Sequence, residues 1–122
     1  MKLRISAAGA SFEVVLDQTP TAKALLGAVP FEARAQNWGE EVYFSTPVSV
    51  KLEPDARQVV EPGTVCFWTE GDALALPYGR TPISTDERPK LASRCNVLGK
   101  IVGDARLLSR IKSGDPIKVE KA

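Results

Sequence analysis

Not one of the chain's 122 residues is a histidine. That absence removes Ser-His-Asp and Cys-His nucleophile pairs, an imidazole base working near neutral pH, and every His-ligated metal site. Cysteine is scarce as well. Cys66 and Cys95 stand alone with no CxxC spacing, so neither a metal nor a redox motif is signalled. In a reducing compartment both are expected to be small buried hydrophobes. Neither GxxxxGK followed by Ser or Thr nor GxGxxG occurs, which sets aside nucleotide hydrolysis and dinucleotide binding. No apolar run approaches the roughly 18 residues that span a bilayer. The opening Met1-Lys2-Leu3-Arg4-Ile5-Ser6 lacks the apolar stretch of a signal peptide. The expectations are a cytoplasmic chain with no membrane partner, no cofactor and no metal.

Charge of one sign is missing too. Sixteen Lys and Arg face fifteen Asp and Glu, a net charge of +1. Residues 1–61 carry six basic and eight acidic side chains, and residues 62–122 carry ten and seven. No basic cluster of the kind that tracks a phosphate backbone results, so nucleic acid is not an expected partner. Oligomeric state is not legible in the sequence.

What is present is period-two patterning. Leu3, Ile5 and Ala7 alternate with Lys2, Arg4 and Ser6, and Phe12, Val14 and Leu16 repeat the pattern after Ala8-Gly9-Ala10-Ser11, which predicts a hairpin. Thr19 is placed to cap a short helix with Pro20 in its first position and Gly27 and Pro30 at its end. Phe31–Ala35, Val42–Phe44, Val48–Leu52, Thr64–Thr69, Ala73–Leu76, Cys95–Val102 (interrupted by Gly99) and Ile117–Val119 read as further strands. Asp104 caps a second helix carrying Leu107, Leu108 and Ile111, and Gly114 ends it. Pro77 to Pro89 reads as a long surface loop of the kind that often carries function.

Many short strands with two short helices predict an all-β fold, a closed barrel formed by a single domain over residues 1–122. Closure removes the edges that would otherwise pair with other chains. A barrel of about eight strands is filled by its own side chains. A ligand would therefore sit on the outside or at a rim.

Several segments carry a resemblance across most of the chain, from about Leu3 to Val119. They are Trp38-Gly39-x-Glu41-Val42-Tyr43-Phe44, Pro62-Gly63 ahead of Phe67-Trp68, Tyr78-Gly79-Arg80-Thr81-Pro82-x-Ser84, and Asn96-Val97-x-Gly99. In order and spacing they resemble the small prokaryotic cyclophilin-like proteins. The resemblance implies a cyclophilin-like barrel with helices covering its ends. It carries no activity with it. Against true cyclophilins, the Phe-His-Arg segment that supplies a catalytic arginine and the Gly-Gly-Asp-Phe stretch are both missing, so peptidyl-prolyl isomerisation does not transfer.

All four Trp and Tyr residues, Trp38, Tyr43, Trp68 and Tyr78, fall inside these segments. They either form a concave aromatic surface for a ligand or fill the barrel and its ends. Gly39 and Gly79 suggest close backbone approach. On the 78–84 loop Arg80 offers a planar fork of donors for a carboxylate or carbonyl, with Thr81 and Ser84 adding hydroxyls; a structural turn is the alternative. Of the acidic residues Glu40, Glu41, Asp86 and Glu87, Glu41 stands out, because burial between Trp38 and Tyr43 would raise its pKa. Asn96 is either a polar contact within the site or, as the favoured expectation, a partner for barrel backbone groups.

The resulting expectation is a ligand-binding module that takes a small molecule or an extended peptide. Its site would comprise Trp38, Glu41, Tyr43, Tyr78, Arg80, Thr81 and Ser84. The competing classes are an enzyme, either a divergent prolyl isomerase or a hydrolase using Glu41, and a structural partner of a larger complex.

Overall fold

In the computed structural model, which describes residues 1–122, the chain winds into one antiparallel barrel. Strand β1 (Lys2–Ala7) turns back into β2 (Ala10–Leu16) through Ala8 and Gly9, both at positive φ. A two-residue loop with both φ angles positive matches the right-handed twist of the strands it joins. Helix α1 (Pro20–Ala28) follows, with the Thr19 hydroxyl accepting from the Ala22 amide at 3.1 Å and Pro20 in the first turn. Next come β3 (Phe31–Arg34), β4 (Gln36–Asn37), β5 (Glu41–Ser45), β6 (Arg57–Val59), β7 (Thr64–Trp68), β8 (Ala73–Pro77) and β9 (Lys90–Ile101). A 3-10 helix over Ala105–Arg110 and β10 (Pro116–Lys121) complete the chain.

The hydrogen-bonded path runs β3-β10-β1-β2-β9-β7-β8-β5-β4, with β6 attached to β9. Its two end strands are separated in sequence only by Ala35, so the covalent chain itself carries the ring across its one gap. Inward positions alternate as the pattern predicts. Leu3, Ile5, Val14, Val42, Phe44, Val65, Phe67, Leu74, Leu76 and Leu98 form one buried cluster, joined by Ala22 and Leu25 of α1 and by Leu108 and Ile111 at the 3-10 helix. The interior is therefore filled with side chains and holds no channel. No helix is long and apolar enough to cross a membrane.

Asn96 points inward on β9 and is fully buried. Its amide donates to Thr21 Oγ1 and to the Lys51 carbonyl, each at 2.9 Å, while its Oδ1 accepts from the Glu53 amide at 2.7 Å. This one side chain serves the backbone at Lys51 and Glu53, in a segment that forms no strand, and not the barrel backbone groups that the sequence suggested.

Four expectations need correction. Val48–Leu52 alternates but forms no strand. Both neighbours of β5 are already β8 and β4, which leaves the segment no ladder to join, and the Asn96 side chain holds it instead. Strand β9 starts at Lys90, not Cys95, and runs on through Gly99, where its pairing with β7 shifts register but the strand does not end. A Cβ at Gly99 would collide with the Val15 carbonyl of β2, so the glycine lets two strands approach closely. The short strand β6 pairs with the first half of β9, Arg57 opposite Cys95, and was not apparent in the sequence. The second helix is a 3-10 segment that ends at Arg110; Asp104 does cap it, accepting from the Arg106 amide at 3.0 Å.

Candidate functional site: a cavity on the outer face of the barrel

On β5, β8 and β7 the residues facing away from the core are Glu41 and Tyr43, Ala73 and Ala75, and Cys66 and Trp68. Cross-strand pairing sets Tyr43 opposite Ala75, and Ala75 opposite Cys66. Alanines on the middle strand between bulkier neighbours leave a trough. The first half of β9, which pairs with β6 and not with β7, walls it with Leu91, Ala92 and Cys95. Below the trough, Val60, Cys66, Ala75, Leu91 and Cys95 make a small second core separate from the barrel interior.

The result is a half-open cavity of about 270 Å³. Trp38, Tyr43 and Trp68 stand at its edges, each only partly buried. Trp68 is fixed by its indole N–H, which donates to Ser93 Oγ at 3.0 Å, and by its ring lying against Gly71. Tyr43 turns its hydroxyl to Gln36 Oε1 at 3.0 Å. Of the nine lining residues eight are hydrophobic, and the exception is Glu41.

Glu41 is 6 % exposed, and its Oε1 is buried with no hydrogen-bond partner. Loss of hydration disfavours the charged form, and burial raises this carboxyl to about 7. An orphaned buried acceptor of this kind is costly in a native structure and calls for a partner. The two thiols nearby are also held in the neutral form. Burial pushes Cys95 up to about 12, with Glu41 and Glu70 adding to the effect, and burial raises Cys66 well above the usual thiol range. Both cysteines are free and buried.

The seven residues singled out in the sequence divide into two groups. Trp38, Glu41 and Tyr43 line the cavity. Tyr78 belongs to the barrel core, where burial raises its phenol. Arg80, Thr81 and Ser84 lie on the loop behind the 38–41 turn and bond within that loop. The Arg80 guanidinium donates to the Asp86 carbonyl at 2.9 Å and the Ser84 carbonyl at 3.3 Å, and lies 3.6 Å from Glu87. Ser84 Oγ accepts from the amides of Thr81 and Lys90 at 2.9 and 3.1 Å, and Thr81 Oγ1 donates to the Lys90 carbonyl. Arg88 clasps Asp86 and holds that carboxyl down at about 2.

Loop and turn are sewn together. The Glu40 amide donates to the Arg80 carbonyl at 2.8 Å, the Arg80 amide to Glu40 Oε1 at 3.1 Å, and the Tyr78 amide to the Glu40 carbonyl at 2.9 Å. Gly39 has φ +59°, and a Cβ there would lie 3.0 Å or less from Arg80 O, Thr81 Cα and Pro82 Cδ. At Gly79 a Cβ would collide with the Glu40 carboxyl. The close approach expected at these glycines is thus between the turn and the loop, and it positions Trp38 and Glu41.

Sequence reasoning missed Ala73, Ala75, Leu91, Ala92 and Cys95, and placed Trp68 among the aromatics without assigning it to the site. The signal available was the small residue at each outward position of Ala73-Leu74-Ala75-Leu76.

The sequence pattern of the family described as Cyclophilin-like matches residues 1–120. The solution structure of a hypothetical protein from Archaeoglobus fulgidus superposes with a TM-score of 0.84 at 38% identity, covering 100% of this chain and 95% of that one. No curated protein matches the chain.

Proposed function

We propose that this chain, which belongs to the cyclophilin-like family, is a binding module whose outer-face cavity takes a small molecule. The observation that carries this reading is the Glu41 Oε1 atom, buried and unpartnered in an otherwise apolar cavity rimmed by Trp38, Tyr43 and Trp68. Apolar walls with one or two placed polar groups are the usual composition of a ligand site, the walls supplying area and the polar group orientation. At about 270 Å³ the cavity lies just under the ~300 Å³ at which sites for drug-sized ligands begin. A compact molecule or a single side chain fits it better than an extended peptide does. In this reading Tyr78, Arg80, Thr81 and Ser84 act through the turn they hold.

A carboxyl near 7 also suits general acid-base work, which favours a hydrolase as the second reading. Against it, the neighbouring thiols are neutral at physiological pH and therefore poor nucleophiles, and the lining contains no second carboxylate.

A fragment screen followed by amide and indole NMR shifts tests the binding reading. Hits should perturb Trp38, Glu41, Tyr43 and Trp68 together. Ala75→Leu should abolish them, because it fills the trough from its floor while pointing away from the barrel interior. Shifts confined to residues 80–88 would move the site to the loop.

A further inference from the structure

We propose that the occupant of this cavity is an organic cation, a primary or secondary ammonium on a short apolar stem, with its N–H donated to Glu41. The proposal rests on the binding reading above and names the ligand class for that site.

Three features point to this class. The free acceptor is a carboxylate oxygen with no hydrogen-bond partner, and none of the chain's ion pairs includes Glu41. An ammonium supplies both the missing donor and the missing countercharge, and a charge-assisted bond is stronger than a neutral one. Three of the nine lining residues are aromatic, Trp38, Tyr43 and Trp68, and the negative quadrupole of an aromatic ring face attracts a cation and does nothing for an anion. The nearby charges are mostly of the matching sign. Beside burial, which is the larger cause for both thiols, Glu41 and Glu70 raise Cys95 and Glu41 raises Cys66, against Arg57, which lowers Cys66.

The groups that face Glu41 are few. Tyr43 lies on its own strand, Cys66 comes from β7 and Cys95 from β9, and β8 contributes only alanines to the lining. Arg57 of β6, the strand paired with the first half of β9, acts on Cys66 in the lowering direction. Neither thiol ionises near neutral pH, so the pH dependence of cation binding follows Glu41. A cation needs the ionised carboxyl, whereas a carboxylic acid or carbonyl ligand needs the protonated one. The two classes therefore give opposite slopes.

The experiment compares phenethylammonium with its neutral isostere 2-phenylethanol and with 3-phenylpropionate, by calorimetry and tryptophan fluorescence at pH 6 and pH 8. With Glu41 titrating at about 7, the ammonium should bind about tenfold more tightly at pH 8 than at pH 6, in proportion to the ionised fraction. At pH 8 it should exceed the alcohol by about tenfold or more. Glu41→Gln, checked for folding by circular dichroism, should remove both the slope and the preference. Nα-acetyl-lysine methylamide, run in parallel, separates a peptide-borne ammonium from a free amine; tight binding of either supports the class. Equal binding of ammonium and alcohol overturns the cation while leaving the cavity a binding site. Stronger propionate binding at pH 6 overturns it in favour of an acid ligand. Failure of every probe, with hits still obtained in the fragment screen, overturns the cation alone. Failure of both experiments overturns the binding reading too.

Discussion

Glu41 and Arg80 sit on segments joined by three backbone-mediated hydrogen bonds, yet the two neighbourhoods treat polar groups in opposite ways. Around Arg80 the loop closes on itself. Carbonyls of Ser84 and Asp86 take the guanidinium, Ser84 Oγ serves two amides, and Asp86 and Arg88 pair in the solvent. Around Glu41 a carboxyl oxygen is buried among aromatic and aliphatic side chains with no partner. Exposed polar residues settle their valences locally at little cost, whereas a buried acceptor left open is expensive and persists only where the surrounding fold holds it in place. Polarity alone, then, is a poor guide to a site. An unsatisfied group in a shaped cavity is a better one.

The largest expected effect concerns stability against pH. Glu41 is raised from 4.5 to about 7 in the folded protein, so between these values the native state holds a proton that the unfolded chain has released. Stability therefore falls as pH climbs through that window and levels off above it. Denaturation of wild type and Glu41→Gln at pH 4 and pH 9 should show the variant gaining about 3 kcal/mol on wild type at the higher pH. Parallel curves would mean that the carboxyl is already satisfied, and the contrast with Arg80 would collapse.

Next comes the seam between the two neighbourhoods. Gly39→Ala places a side chain at φ +59° against the backbone of Arg80 and Thr81. It should cost about 2 kcal/mol in chemical denaturation and shift the Trp38 indole resonance. A variant as stable as wild type, with an unmoved Trp38, would show that the turn does not depend on the loop.

The smallest effect is expected at Arg80. Its guanidinium is about half exposed and its ionic partner Glu87 almost wholly so, and pairs of this kind contribute less than about 1 kcal/mol. Arg80→Ala should leave the melting curve nearly unchanged and the fragment-binding shifts in the cavity intact. A marked loss of ligand affinity would return Arg80 to the site.

Much of the barrel was legible because inward and outward residues alternate locally. Leu3-Arg4-Ile5 and Val42-Tyr43-Phe44 declare their faces without reference to any partner strand. Thr19-Pro20 declared its helix because an N-cap is a local event. The same logic failed at Val48–Leu52, where alternation was present but no neighbouring ladder was free. It failed again at β6, three residues whose pairing depends on β9 more than thirty positions away. Glu41 could be picked out between Trp38 and Tyr43, since residues two apart share a face. That Ala75 lies opposite Tyr43, and that Leu91 and Cys95 line the same cavity, could not.

The sequence by itself determined the alternating faces of most strands, the filled interior, the lack of imidazole chemistry and the one carboxyl set among aromatics, for each follows from residue identity and short-range spacing. Only the tertiary structure decided where the open space lies and which polar group is left without a partner. A cavity is made by strands distant in sequence, with small residues on one and large on its neighbours, and hydrogen-bond satisfaction depends on everything that the fold brings near. Glu41 is an acidic residue in the chain; the register of β5, β8, β7 and β9 makes it a buried acceptor facing an apolar trough.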